Sequence, residues 1–431
     1  MTSATTPKAK APEDNRQLLR RLFDVAVARA HPDECLAAYL PEPPKGRTVV
    51  IGAGKASAAM ARALEAVWSG PLEGVVLTRR GHGEPTRHIR IVEASHPVPD
   101  AAGEAGTREM LAILEGLTKD DLVIALISGG GSALLAAPPP GVTLEEMQTL
   151  ARQLLKSGAP ISDMNTVRKH VSTVAGGRLA LAARPARLVT LAISDVPGDD
   201  PGIIASGPTV GDATTAADAR AVIAAYGLGV PASIVTWLDQ PGAETPKPGD
   251  PGLHHATYRL VATPALSLQA AASEAEAAGY RPVVLGDRIE GESREVAKVL
   301  AAIALSCAEH GMPAGAPCVV LSGGETSVTV RAEGRGGRNV EFLLGLAIAL
   351  EGRRGLTAIA GDTDGIDGSE DNAGALVDET TLARARALGL DPRDYLARND
   401  AYSFFEALGD LVMTGPTRTN VNDFRAILIE P

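Results

Sequence analysis

Apolar residues recur at helical spacing from Asn15 to Arg29. Beyond the proline-rich stretch Pro41 to Lys45 they close up into a β-branched run, Thr48-Val49-Val50-Ile51, that ends on glycine. Gly54 through Ala66 reads as an alanine-rich helix, so the local pattern is strand, tight turn, helix. The alternation continues with a strand at Gly74 to Thr78, a helix over Ala101 to Gly116, an almost wholly apolar strand at Leu122 to Ser128 and another strand at Arg187 to Ile193. Strands that are apolar on both faces and separated by helices predict a buried parallel sheet in an α/β fold.

Turn-forming residues crowd the stretch Asp239 to His255, which predicts a linker, a long surface loop being the alternative. Beyond it the alternation restarts. Strands are expected at Tyr258 to Ala262, Val283 to Leu285, Pro317 to Leu321, Thr357 to Ala360 and Arg425 to Ile429, with helices over Ala265 to Ala278, Glu292 to Glu309 and Asn339 to Leu350. The pattern therefore predicts two domains, 14–240 and 257–431, joined by a linker at 241–256, the second again α/β. Residues 1–13 are polar and lack an apolar leader segment, and they read as a disordered tail.

Composition adds limits on function. With 431 residues and 45% hydrophobic content the chain can bury more than one core, and aromatics at 3% mean that those cores are aliphatic. A net charge of -11 argues against nucleic acid or an anionic membrane as partner. It leaves open a small anion held by local cations. Cys35, Cys307 and Cys318 are odd in number and lack metal-type spacing, so neither a disulfide framework nor a zinc site is expected, and a reducing cytoplasm fits. No stretch is apolar and unbroken over a membrane-spanning length.

The candidate chemistry sits in glycine-rich turns. Gly52-Ala53-Gly54-Lys55-Ala56-Ser57 follows a strand and opens a helix, where glycines let an anion approach backbone amides and Lys55 adds a charge. It lacks the spacing of a Walker A loop, and Ser57 replaces the third glycine of a dinucleotide fingerprint, so a purely structural turn is an equal reading. Ser128-Gly129-Gly130-Gly131-Ser132 ends a buried strand, a place where open α/β sheets bind ligands, and three glycines suit a closely approaching phosphate or simply a tight turn. Ser194-Asp195-Val196-Pro197-Gly198-Asp199-Asp200 offers carboxylates for phosphate-bound magnesium or for a substrate proton, although Asp and Gly are ordinary turn residues. Arg168, Lys169, His170 and Arg178 cluster in an acidic protein; a solvated basic face is the favoured reading by spacing, neutralisation of transferred phosphate the other.

In the second half, Gly334-Arg335-Gly336-Gly337-Arg338-Asn339 feeds a helix, and Arg338 has the geometry for a bidentate contact to a carboxylate. Gly361 to Gly368 carries Asp362, Asp364 and Asp367, but Ala373 stands where a calcium loop needs glutamate, so magnesium, hydroxyls or loop shaping remain. His82, His96 and His170 are scattered without a zinc-peptidase or hydrolase pattern, which leaves local structural or substrate-polar roles.

Taken together in order, these motifs resemble the bacterial glycerate 2-kinase family, whose C-terminal part is called the MOFRL domain. The resemblance rests also on Ser95-His96-Pro97, Asn165 to His170, Ala205-Ser206-Gly207-Pro208-Thr209, Ser322-Gly323-Gly324-Glu325-Thr326, Thr414-Gly415-Pro416-Thr417 and Thr419-Asn420-Val421. It implies a Rossmann-like three-layer N-terminal domain with a parallel sheet, a second α/β domain and an active site in the cleft between them. It implies transfer of the ATP γ-phosphoryl group to the 2-hydroxyl of D-glycerate, with magnesium, in the cytoplasm. Lys55 and Arg338 match the family's basic positions. Two departures stand out: Ala175 replaces a usual lysine before Gly176-Gly177, removing a charge from a presumed anion loop, and Val340 replaces a common glutamine.

On this reading Lys55, Arg338 and Asp195 are the catalytic candidates. Gly52, Gly54, Ser128, Gly129, Gly130, Gly131, Ser132, Arg168, Asp199, Glu325 and Asn339 are candidates for substrate or nucleotide contacts, and Asp195, Asp199 and Asp364 for the metal. The expected partner is a small molecule, with no nucleic acid and no membrane, and a homodimer is left open. The alternative is an NADP-dependent hydroxypyruvate reductase, a name this family has also carried, with Arg79 and Arg80 placed for a 2′-phosphate. A nonenzymatic sugar-acid or phosphate sensor is the third reading; no DNA-binding module accompanies it.

Overall fold

The computed structural model describes residues 14–431; the expected tail at 1–13 lies outside them. Among the described residues twelve strands form two six-stranded sheets, and the chain divides into two compact units. One unit comprises residues 28–266 and 416–422, the other 267–415 and 423–431 together with the described residues 14–27.

In the first unit the strands are β1 (Thr48–Ala53), β2 (Glu73–Arg79), β3 (Ile89–Ala94), β4 (Leu122–Ile127), β5 (Arg187–Ile193) and β6 (Ala256–Ala262). Their order is β3-β2-β1-β4-β5-β6, and every pair is parallel. This is the doubly wound arrangement, in which the chain reverses direction across the sheet between β1 and β4 and leaves a crevice at their carboxyl ends. Alternation along each strand fills both faces. Val49, Ile51, Val123 and Ala125 pack with Met110 and Leu179, while Val50, Ile124, Leu126 and Leu191 pack with Met60 and Leu64. The expected three layers are present.

The second unit contains β7 (Arg281–Glu292), β8 (Cys318–Ser327), β9 (Leu356–Asp362), β10 (Gly374–Val377), β11 (Leu411–Val412) and β12 (Asp423–Ile429), in the order β11-β10-β9-β12-β8-β7. Only β7 and β8 pair in parallel. One face packs Val320, Ala358 and Ile427 on the helices Ser293–His310 and Arg338–Leu350; the other packs Val319, Ile359 and Phe424 on Asn15–Ala30 and Pro264–Ala277.

The division differs from the expected 241–256 boundary. That segment stays with the first unit because Arg178 donates to the carbonyls of Gly242, Ala243 and Glu244 at 3.0, 2.9 and 3.1 Å, Thr245 bonds to buried Asp212, and β6 completes the first sheet beside β5. The first helix, through Val27, belongs instead to the second unit, where Leu18, Leu19, Leu22 and Phe23 find their partners.

Candidate active site

The turn after β1 and the turn after β4 are bonded to each other. Lys55 N donates to Gly129 O at 2.8 Å, Ala56 N to Ser128 Oγ at 3.0 Å, and the Ser57 and Ser128 hydroxyls lie 3.2 Å apart. Gly54 N donates to Leu77 O and Ser57 N to Gly54 O, at 3.1 and 3.2 Å. All four amides from Gly54 to Ser57 are therefore consumed inside the fold. Gly52 and Gly54 are glycine for proximity: a Cβ on Gly52 would strike Leu126 O, and one on Gly54 the Ser128 hydroxyl. Contrary to expectation, this turn is no cradle of free amides, and Ser128, fully buried, is a tie between turns rather than a ligand group. What it presents is the Lys55 side chain.

The triple-glycine turn behaves differently. The amides of Gly129 and Gly130 have no acceptor among the described residues. A Cβ on Gly130 would sit 3.2 Å from His96 Nε2 and 3.4 Å from Lys55 Cγ, which places the imidazole edge and the lysine stem side by side over this turn. Asp195, from the loop after β5, reaches the same turn, since a Cβ on Gly129 would fall on its carboxylate. The Asp195 carboxylate accepts from Asn420 Nδ2 at 3.0 Å, and its backbone carbonyl accepts from Asn422 Nδ2.

Arg168 closes the group. Its expected setting, a solvated basic face, is not what forms. Lys169 and His170 are buried, Lys169 paired to Asp212 at 2.8 Å, and Arg178 is turned onto backbone carbonyls. The helix Ile161–His170 ends before the left-handed Gly176 and Gly177, which separate it from Arg178. Arg168 itself has no carboxylate within ion-pair distance among the described residues; its one hydrogen bond, 3.3 Å, is to Asn165 Oδ1. Burial depresses its pKa with no opposing negative charge. A half-buried guanidinium left uncompensated is costly unless an anion completes it.

A hydroxyl chain connects Arg168 to the glycine turn. Ser206 donates to Asn165 Oδ1 at 3.1 Å, so the 2.7 Å bond between Ser132 and Ser206 is donated by Ser132. Ala205 and Ser206 both hold left-handed backbone, φ 52 and 61°, a conformation costly for non-glycine residues and concentrated at functional sites. Residue types and spacing alone give no role to Asn165, Ser206 or Asn420, and leave His96 only a local structural or substrate-polar one. Their only signal in the sequence is membership of the recurring short motifs. Asp199 lies in the same acidic loop, at φ 58°, and the carboxylates of Asp200, Asp195 and Asp199 join burial in pushing the Tyr258 phenol up.

In the second unit Arg338 is the first residue of its helix and lies among carboxylates: Asp423 at 2.6 Å, Asp362 at 2.8 Å and Glu325 at 3.2 Å. Burial alone would lower its pKa, but these three charges outweigh that and hold it raised. Asn339, expected to touch ligand, is buried and bonds inward to Asp367 and Asp423. Asp367 caps the helix, accepting from the amides of Asn339 and Val340 at 3.0 and 2.9 Å. Asp364 accepts from Ile366 N at 3.0 Å within its own turn. Beside this cluster is a pocket of about 420 Å³ lined by Glu325, Gly336, Gly337, Arg338 and Glu341 among others. Among the described residues no three His, Cys, Asp or Glu side chains are grouped to hold a metal ion, and no helix is long and apolar enough to cross a membrane.

The fold and the first cluster define a doubly wound α/β protein whose switch point gathers cations, one carboxylate and unpaired glycine amides, a site for a small polyanion. Residues 18–239 match the family described as a domain of unknown function (DUF4147), and residues 318–423 match the MOFRL family. A protein of Agrobacterium vitis, whose name of hydroxypyruvate reductase is itself provisional, is 57% identical over 96% of this chain and 94% of its own. The D-glycerate 2-kinase of Thermotoga maritima is 39% identical over 96% of this chain and 98% of its own. The crystal structure of glycerate kinase from that organism superimposes with a TM-score of 0.88 at 39% identity, covering 96% of this chain and 99% of the other. The chain belongs to the glycerate 2-kinase family with a C-terminal MOFRL domain.

Proposed function

We propose that this chain is a cytoplasmic glycerate 2-kinase that transfers the γ-phosphoryl group of ATP to the 2-hydroxyl of D-glycerate, giving 2-phosphoglycerate. The observation that carries the reading is a glycine turn at which the unbonded Gly129 and Gly130 amides, the Lys55 stem and the Asp195 carboxylate meet, linked through Ser132, Ser206 and Asn165 to an Arg168 that has no counter-charge. Phosphoryl transfer asks for this: charge neutralisation, alignment and one proton acceptor. The glycine amides take nucleotide phosphate, Lys55 and Arg168 take the anionic groups of the substrate and the transferring phosphoryl, and Asp195 accepts the proton of the 2-hydroxyl. Arg338, surrounded by three carboxylates, serves the second unit's own charge cluster.

A magnesium ion arriving with the nucleotide would supply charge neutralisation of its phosphates. The residues fit such an ion, which needs one or two carboxylates and takes its other ligands from phosphate and water; Asp195, Asp199 and Asp364 are the candidates. They do not form a preassembled protein site.

The reductase reading has less support. A dinucleotide pyrophosphate is seated on the amides of the first glycine turn, and here those amides are already bonded. Arg80, one of the two arginines suited to a 2′-phosphate, is paired with Asp100 at 2.6 Å. Two parallel incubations decide between them: ATP, magnesium and D-glycerate followed by ADP release, and hydroxypyruvate with NADPH followed by loss of NADPH. ADP release alone is expected. NADPH loss without it would overturn the proposal.

A further inference from the structure

His96 is a titratable member of the first cluster whose chemistry the proposed reaction leaves unused. Its ring stands half-buried at the glycine turn, Nε2 towards Gly130 and beside the Lys55 stem. Neither ring nitrogen has a hydrogen-bond partner among the described residues. The ring is only partly covered and neither nitrogen is a buried orphan, so its donor and acceptor reach the open side of the glycine turn and are available to a ligand there.

The charge state limits what that partner is. Burial, then Lys55, Arg79, Arg168 and His82, push the His96 pKa down to about 4, so the ring is neutral wherever the enzyme works. A neutral imidazole offers one N–H donor and one acceptor nitrogen. The carboxylate and the transferring phosphoryl are anions and are better served by the cations around it. The 2-hydroxyl gives its proton to Asp195. Glycerate has one polar group left, the 3-hydroxyl, which is uncharged and is itself donor and acceptor.

We propose that His96 recognises the non-reacting 3-hydroxyl of glycerate and so makes the site selective for a 2,3-dihydroxy acid over a 2-hydroxy acid lacking that group. The inference rests on the glycerate 2-kinase reading. A site built to hydrogen-bond a hydroxyl rejects the analogue that lacks it, because its own polar group is then left unpaired.

D-Lactate has the carboxylate and 2-hydroxyl of glycerate with a methyl in place of the hydroxymethyl, and so serves as the probe. The measurements are kcat/KM for D-glycerate and the inhibition constant of D-lactate against it, in the wild type, His96→Phe and His96→Asn, with a melting curve for each. For His96→Phe, kcat/KM for D-glycerate is expected to fall about 100-fold while the D-lactate constant moves less than about threefold. His96→Asn keeps a donor and an acceptor and is expected to recover part of the loss. Equal weakening toward both acids, or no change toward either, would overturn the proposal, because His96 would then serve a shared group or only the fold. A variant that melts early while its partner variant shows equal weakening counts the same way. A wild type that does not phosphorylate D-glycerate at all refutes the functional reading itself, a result distinct from unchanged selectivity in an active enzyme.

Discussion

Gly129 and Asp195 share one space: a methyl group on the glycine would lie where the carboxylate is. The close approach fixes the proposed proton acceptor against the turn proposed to take the nucleotide phosphates. Gly129→Ala is therefore expected to push Asp195 aside rather than unfold the sheet. Misplacing a reacting group by about 1 Å costs on the order of 100-fold in rate. The expected outcome is a loss of that size in kcat, with a melting temperature lowered by only a few degrees, on the order of 1 kcal/mol. Near-normal kcat would remove Asp195 from the reaction.

Lys55 separates fold from chemistry cleanly. Its backbone amide ties the two turns together, and a side-chain substitution leaves that bond to Gly129 O in place. Lys55→Met is expected to cut turnover by roughly two to three orders of magnitude, the scale of removing one preorganised charge from a transferring group, while circular dichroism and melting stay close to wild type. Retained turnover would rule out the assigned role.

Much of the architecture is legible in the chain because buried parallel strands are apolar on both faces. β1, β4 and β5 stand out at once, and Arg187–Ile193 matches its expected limits. β3 escapes the pattern since Arg90 and Glu93 interrupt an edge strand that is half exposed. β6 reads as the start of a new domain because turn-forming residues before it imitate a linker, whereas Arg178, distant in sequence, ties that segment back. The glycines at 52 and 54 are visible, but their reason, two turns packed against each other, depends on Leu126 and Ser128 and is not a local property. The same holds for Arg168. Spacing favours a solvated helix face; only the packed structure shows that Lys169 turns inward to Asp212 while Arg168 goes unpaired.

Arg338 invites a mistaken experiment. Because it neutralises Asp423 and Asp362, both buried, Arg338→Met takes one cation from each, leaving Asp423 to Arg425, and is expected to destabilise the second unit by up to about 3–5 kcal/mol. Denaturant titration reads this directly. Loss of activity in that variant then reports stability first. Adding Asp362→Asn to Arg338→Met should restore part of the lost stability; a double variant no more stable than the single would refute the pairing as its cause.

Asp367 gives the second unit a pH dependence opposite to that of an ordinary paired carboxylate. Burial is the largest influence and raises its pKa from 3.8 to about 6, despite the two helix amides that favour the charged form. Between those values the folded state holds a proton that the unfolded state has released. Stability from this group is thus greatest near pH 4, falls as the pH climbs to about 6 and is level above it. Asp367→Asn removes the titration and loses one cap acceptor, a cost that does not vary with pH. Unfolding free energies of both proteins, measured from pH 4.5 to 7.5, should show the variant gaining on the wild type up to about pH 6, with a constant difference beyond. An offset uniform over the whole range would mean that Asp367 is already ionised at pH 4.5, and that its bonds to Asn339 and Val340 outweigh its burial.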